Sequence, residues 1–79
     1  MSNSAKLATA FADALEIEAA TVSDELQYNR IPEWDSVAHM TLIAELEKVF
    51  NVMFDTDQII DMSSVARAKE ILAQHGVEF

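Results

Sequence analysis

The chain has no cysteine, one glycine and one proline in 79 residues. Without cysteine there is no disulfide framework and no thiolate metal site. With so few turn residues, the many tight connections of an all-β fold are excluded. Basic residues are also scarce: five Lys and Arg stand against 14 Asp and Glu, giving a net charge of −9. Affinity for phosphate backbones comes mainly from Lys and Arg, so nucleic acid is excluded as a partner class. Anionic membrane surfaces are disfavoured for the same reason. No stretch reaches the about 20 apolar residues that a membrane span needs, so no membrane insertion is expected. The segment Met1-Ser2-Asn3-Ser4-Ala5-Lys6 lacks a basic region followed by an apolar core. It does not read as a signal peptide, and a monomeric, cytoplasmic protein is the expectation.

What the chain does have is hydrophobic periodicity. Ser4 is expected to cap a first helix that runs to about Leu15, with Leu7, Phe11, Ala14 and Leu15 on one face. Residues Glu16 to Asp35 lack sustained periodicity and contain Thr21, Ser23, Asn29 and Pro32, which read as loop. Connections this long inside a small domain tend to carry function. Ile17, Val22, Leu26, Ile31 and Trp34 are expected to pin the loop to the core. A second helix spans Ser36 to Phe50, with Leu42, Ile43, Leu46, Val49 and Phe50 facing inward. Asn51 stops it. A short third helix lies around Asp57 to Asp61 and presents Ile59 or Ile60 inward. Ser63 or Ser64 caps a last helix from Val65 to about His75, and Gly76 ends it. The expected fold is all-α: one domain over residues 1–79, a bundle of three main helices plus a short one, with a long loop after the first.

The chemistry concentrates at Trp34-Asp35-Ser36-Val37, where the loop becomes the second helix. A helix start offers unpaired N–H groups and the positive end of the macrodipole. A phosphate ester on the Ser36 hydroxyl would lie in a favourable field. The plain alternative is that Ser36 is only an N-cap. On the same helix Val37, Met40 and Ala44 fall away from the core face, a pattern that marks docking surfaces. His39 falls toward the core and is expected to find a hydrogen-bond partner rather than to catalyse, since no third member of a triad is evident. Trp34 is expected to pack the loop. Asp55-Thr56-Asp57 begins like a calcium loop, but Ile60 and Ala66 stand where Gly and Glu are required, so no metal is expected. Methionines 40, 53 and 62 among thin helices offer either a pocket that could open or simple fillers of core and surface gaps.

This order of elements, with Asp35-Ser36, then Leu46-Glu47, Phe50 and the entry Met62-Ser63-Ser64-Val65, resembles the acyl carrier proteins over nearly the whole chain. The resemblance implies that Ser36 carries a 4′-phosphopantetheine arm, attached from coenzyme A by a phosphopantetheinyl transferase that recognises Asp35. The arm's thiol would hold acyl groups as thioesters, and the protein would be a carrier rather than an enzyme. Its partners would be the transferase and the enzymes that load and take up the acyl group. They would dock on Val37, Met40, Ala44, Glu45 and Glu47. Ala38, Thr41 and Lys48 are not acidic, unlike the second helix of general fatty-acid carriers. Trp34 and His39 are also untypical of those carriers, which points to a specialised pathway. Two alternatives stand beside this: a discrete peptidyl or aminoacyl carrier, and an acidic helical docking module that carries nothing.

The charge has a consequence for stability. A net −9 on so small a chain is self-repelling. Raising salt from low to moderate concentration is expected to raise the Tm through screening; a flat or falling Tm contradicts this.

Overall fold

Ser2, rather than Ser4, starts the first helix in the computed structural model, which describes residues 2–79. The Ser2 hydroxyl accepts from the Ala5 N–H at 3.1 Å, so helix α1 runs from Asn3 to Leu15. Either serine could cap by chemistry; the earlier one lengthens the helix by about half a turn without uncovering the apolar stripe. Leu7, Ala10, Phe11 and Leu15 are buried along α1, with Ala14 packed at the edge.

Beyond α1 the loop holds one 3₁₀ turn, Ala19–Thr21, and then helix α2 runs Ser36–Phe50. Asp35 caps α2: its side chain accepts from the Ala38 N–H at 2.8 Å. At the other end Asn51 takes the left-handed conformation, φ 54°, that Asn tolerates better than most residues. Helix α3, Thr56–Asp61, is fixed by a reciprocal capping box between Asp55 and Gln58. Helix α4, Val65–Gln74, is capped by Ser64, which accepts from the Arg67 N–H at 3.0 Å. Past α4 the chain turns at Gly76, whose φ of 88° is one that glycine adopts freely. Among the described residues there is no strand; a single bridge pairs Gln27 with Ser64. The expected all-helical bundle of three main helices and one short one is what forms.

The core draws on every long helix. Leu42, Ile43 and Leu46 of α2 meet Leu7 and Phe11 of α1 and Val65, Ala68, Ile71 and Leu72 of α4. Val49 and Phe50 lie half-buried against the same cluster. The loop contributes its own anchor. Trp34 is 0% exposed and is the largest fully buried side chain. Ile17, Val22, Leu26 and Ile31 are half-buried against the core, as the apolar spacing of the loop implies. Two ion pairs tie surface elements together: Asp61 with Arg67, and Lys69 with Asp24 at 2.8 Å. The Arg67 hydrogen bond holds the Asp61 carboxyl below the ordinary aspartate range. Its small contribution is therefore present at neutral pH and lost as pH falls through that lowered value.

Glu47 has a structural task. Its Oε2 accepts from the Phe54 backbone N–H at 2.9 Å, and Phe54 is buried. The bond fixes the turn between α2 and α3. Glu47→Ala is expected to lower the unfolding free energy by about 1.5–3 kcal/mol, the range for a hydrogen bond to a charged group. Glu47→Gln, which keeps an acceptor, is expected to lose less. Denaturant unfolding measures both, and equal losses for the two variants contradict the assignment.

Candidate functional site

Loop geometry delivers Ser36 to the surface. Asn29, at φ 65°, turns the chain, and its N–H donates to the Trp34 carbonyl at 3.0 Å. That bond closes a short loop through Pro32 and leaves Trp34 facing inward. The next residue, Asp35, is extended and caps α2. Ser36 is then the first helical residue, with an exposed side chain. The reading of Ser36 as the N-cap does not hold, because Asp35 does that work. Asp35 Oδ1 takes the Ala38 amide and the Asp35 carbonyl takes the His39 amide at 2.8 Å. The two earlier amides of the first turn are left facing outward with the serine.

Ser36 borders a cleft of about 390 Å³ between α2 and α3. His39 and Met40 line it from α2, Ile59 and Ile60 from α3, and Tyr28 and Ser63 from the loop and the link to α4. No ionisable acid or base other than the His39 ring and the Tyr28 phenol lines it. Met62 closes the floor and is fully buried. Of the methionines proposed to make room for a pocket, 40 and 62 do line it, whereas Met53 is 82% exposed and stands outside.

His39 is engaged on both ring nitrogens. Trp34 Nε1–H donates to His39 Nδ1 at 3.0 Å, and His39 Nε2 lies 2.9 Å from the Ile59 carbonyl. Nδ1 accepts, so Nε2 carries the proton and donates to Ile59. The ring stacks on Trp34 at a 6.1 Å centroid separation and receives the edge of Tyr28 at 5.3 Å. The core-facing histidine expected from the helical pattern is thus satisfied twice over.

The residues named as a docking face divide. Val37, Met40 and Ala44 share the outer side of α2, with Val37 75% and Met40 56% exposed. Ile60, across the cleft on α3, is 74% exposed and extends the same apolar surface. Glu45 is half-buried and borders a shallow groove against α1, with Lys6 and Asp13. Glu47 points to the Phe54 amide. Neither acid joins the cleft beside Ser36.

Tyr28 and the α3 isoleucines were not expected at the site, although one isoleucine was expected inward, and Ile59 is the one that packs on the core. Adjacent isoleucines on a six-residue helix cannot both point inward, so one had to be exposed; that signal was present. Nothing local marks Tyr28, which is brought over by the Tyr28 N–H to Ser63 carbonyl bond at 2.9 Å. Among the described residues no cluster of acids and histidines suits a metal ion, and no helix is long and apolar enough to cross a membrane. A scan of protein-family models, a search of curated proteins and a search of solved structures each find no match.

Proposed function

We propose that this chain is a carrier protein whose Ser36 bears a 4′-phosphopantetheine arm. One observation carries the reading. Ser36 stands at the first helical position, freed from capping by Asp35, with its side chain exposed at the mouth of an apolar cleft. The exposed Ser36 oxygen can attack the pantetheine-side phosphorus of coenzyme A, losing its proton as the pyrophosphate bond breaks and adenosine 3′,5′-bisphosphate leaves, and the helix start favours the resulting phosphodiester charge. When bound, the arm would supply a thiol that holds the cargo as a thioester, the one nucleophile that the chain itself lacks.

The remaining work falls to the chain's own residues. Asp35 fixes the backbone of Ser36 by capping α2 and presents a carboxylate next to the hydroxyl for the transferase. Val37, Met40 and Ala44 give loading and accepting enzymes an apolar surface around the attachment point, with Ile60 across the cleft. The cleft offers no carboxylate to a free ammonium group. An acyl cargo therefore suits it better than an aminoacyl one. The thinly charged face of α2 suits partners of a specialised pathway better than those that recognise strongly acidic carriers.

The test is intact mass before and after incubation with coenzyme A and a broad-specificity phosphopantetheinyl transferase, with Ser36→Ala alongside. The expected result is a gain of one phosphopantetheinyl group on the parent and none on the variant. No gain on a folded parent, or an equal gain on Ser36→Ala, overturns the proposal and leaves a non-carrying docking module as the better reading.

A further inference from the structure

Helix α3 is anchored at its two ends and, between them, by the half-buried Ile59 against the core. Phe54 before it and Met62 after it are buried, yet no residue of Thr56–Asp61 is. Beyond Met62 the chain is paired to the loop, Tyr28 N–H to the Ser63 carbonyl and Val65 N–H to the Leu26 carbonyl at 3.0 Å. Side-chain bonds from α3 to α4 and its C-cap are exposed: Gln58 with Gln74 and His75, and Asp61 with Arg67. The bond between His39 and Ile59 is half-buried.

The Ile59 carbonyl needs that bond. It belongs to the last turn of a short helix, where carbonyls lack intrahelical partners. The N–H that would reach it by continuing the helix, that of Ser63, donates instead to Asp61 at 2.8 Å. His39 reaches across from α2 to satisfy it. The His39 tautomer able to donate is the one that Trp34 selects by donating to Nδ1. His39 and Ile59 both line the cleft beside Ser36.

We propose that His39 is a latch between α2 and α3. Its Nε2–H bond to Ile59 holds α3 against α2 and keeps the cleft narrow, and release of that bond lets α3 swing away about its anchors at Phe54 and Met62. His39 is a positioning residue in this scheme and touches no reacting atom. That the group admitted is carried on Ser36 rests on the carrier reading; the latch itself does not.

Amide hydrogen exchange on the unmodified chain tests the latch whether or not Ser36 is ever loaded. His39→Leu keeps the volume of the ring but neither hydrogen bond, and His39→Gln keeps a donor toward Ile59. In folded His39→Leu the loss of the Trp34 acceptor is expected to raise exchange in common at core amides such as Leu46 and Ile71, and the Ile59 and Ile60 amides are expected to exchange about tenfold faster beyond that common rise. His39→Gln restores most of the protection. The neutral dye N-phenyl-1-naphthylamine is expected to bind His39→Leu several-fold more tightly than the parent. Unchanged α3 exchange overturns the latch, as does equal acceleration in every helix, which would make His39 a general core support. Unchanged dye affinity overturns its control of the cleft. His39→Met serves the same purpose if the leucine variant does not fold.

Discussion

The contact between Trp34 and His39 is the interaction on which the placement of the site depends. A loop from Glu16 to Asp35 has little secondary structure of its own, and backbone ordering costs about 1–2 kcal/mol per residue. Apolar burial must offset that cost, and Trp34 is the largest buried contributor. A tryptophan ring cannot be buried cheaply unless its N–H finds an acceptor. His39 Nδ1 is that acceptor, one residue beyond the amide capped by Asp35. Phe11 and Tyr28 make T-shaped contacts with Trp34 at centroid separations of 5.3 and 6.1 Å, joining α1, the loop and α2 around one ring. With Trp34 fixed inward, the extended Asp35 turns outward to cap α2, and Ser36 opens the helix on its exposed side.

Much of the fold was legible because periodicity and capping are local. The Leu42, Ile43 and Leu46 stripe, the stop at Asn51, the turn at Gly76 and the α2 bounds all follow from neighbours in sequence. The misreadings share a cause: two local solutions of similar strength. Ser2 and Ser4 could both cap α1, and Asp35 and Ser36 could both cap α2. Which residue caps depends on where the preceding chain enters, and for α2 that is set by Trp34, a tertiary contact. Glu47 could equally have faced solvent; only the turn that brings the Phe54 amide back to it decides otherwise. Tyr28 reaches the cleft through pairing to Ser63, 35 residues on, which no window of local sequence contains.

Charge and site are arranged separately. No acid lines the cleft beside Ser36, whereas Asp35 borders a second groove at the α2 start together with Asp13, Glu16 and Glu33. Two of the five basic residues, Arg67 and Lys69, serve α4, pairing it to α3 and to the loop. The exposed side chains that flank the cleft on α2 and α3, Val37, Met40 and Ile60, are apolar. Within that surface the relay from Trp34 through His39 to the Ile59 carbonyl links the loop, the helix bearing Ser36 and the wall of the cleft.

The most direct measurement of this account is the protonation pattern of His39 by nitrogen-15 NMR, with the scalar coupling across the Trp34 Nε1–H to His39 Nδ1 bond. The account predicts Nε2–H as the tautomer at neutral pH, a resolved coupling to the indole nitrogen, and an indole N–H that exchanges slowly with solvent. An Nδ1–H tautomer, or an indole proton exchanging at the rate of an exposed tryptophan, would contradict it.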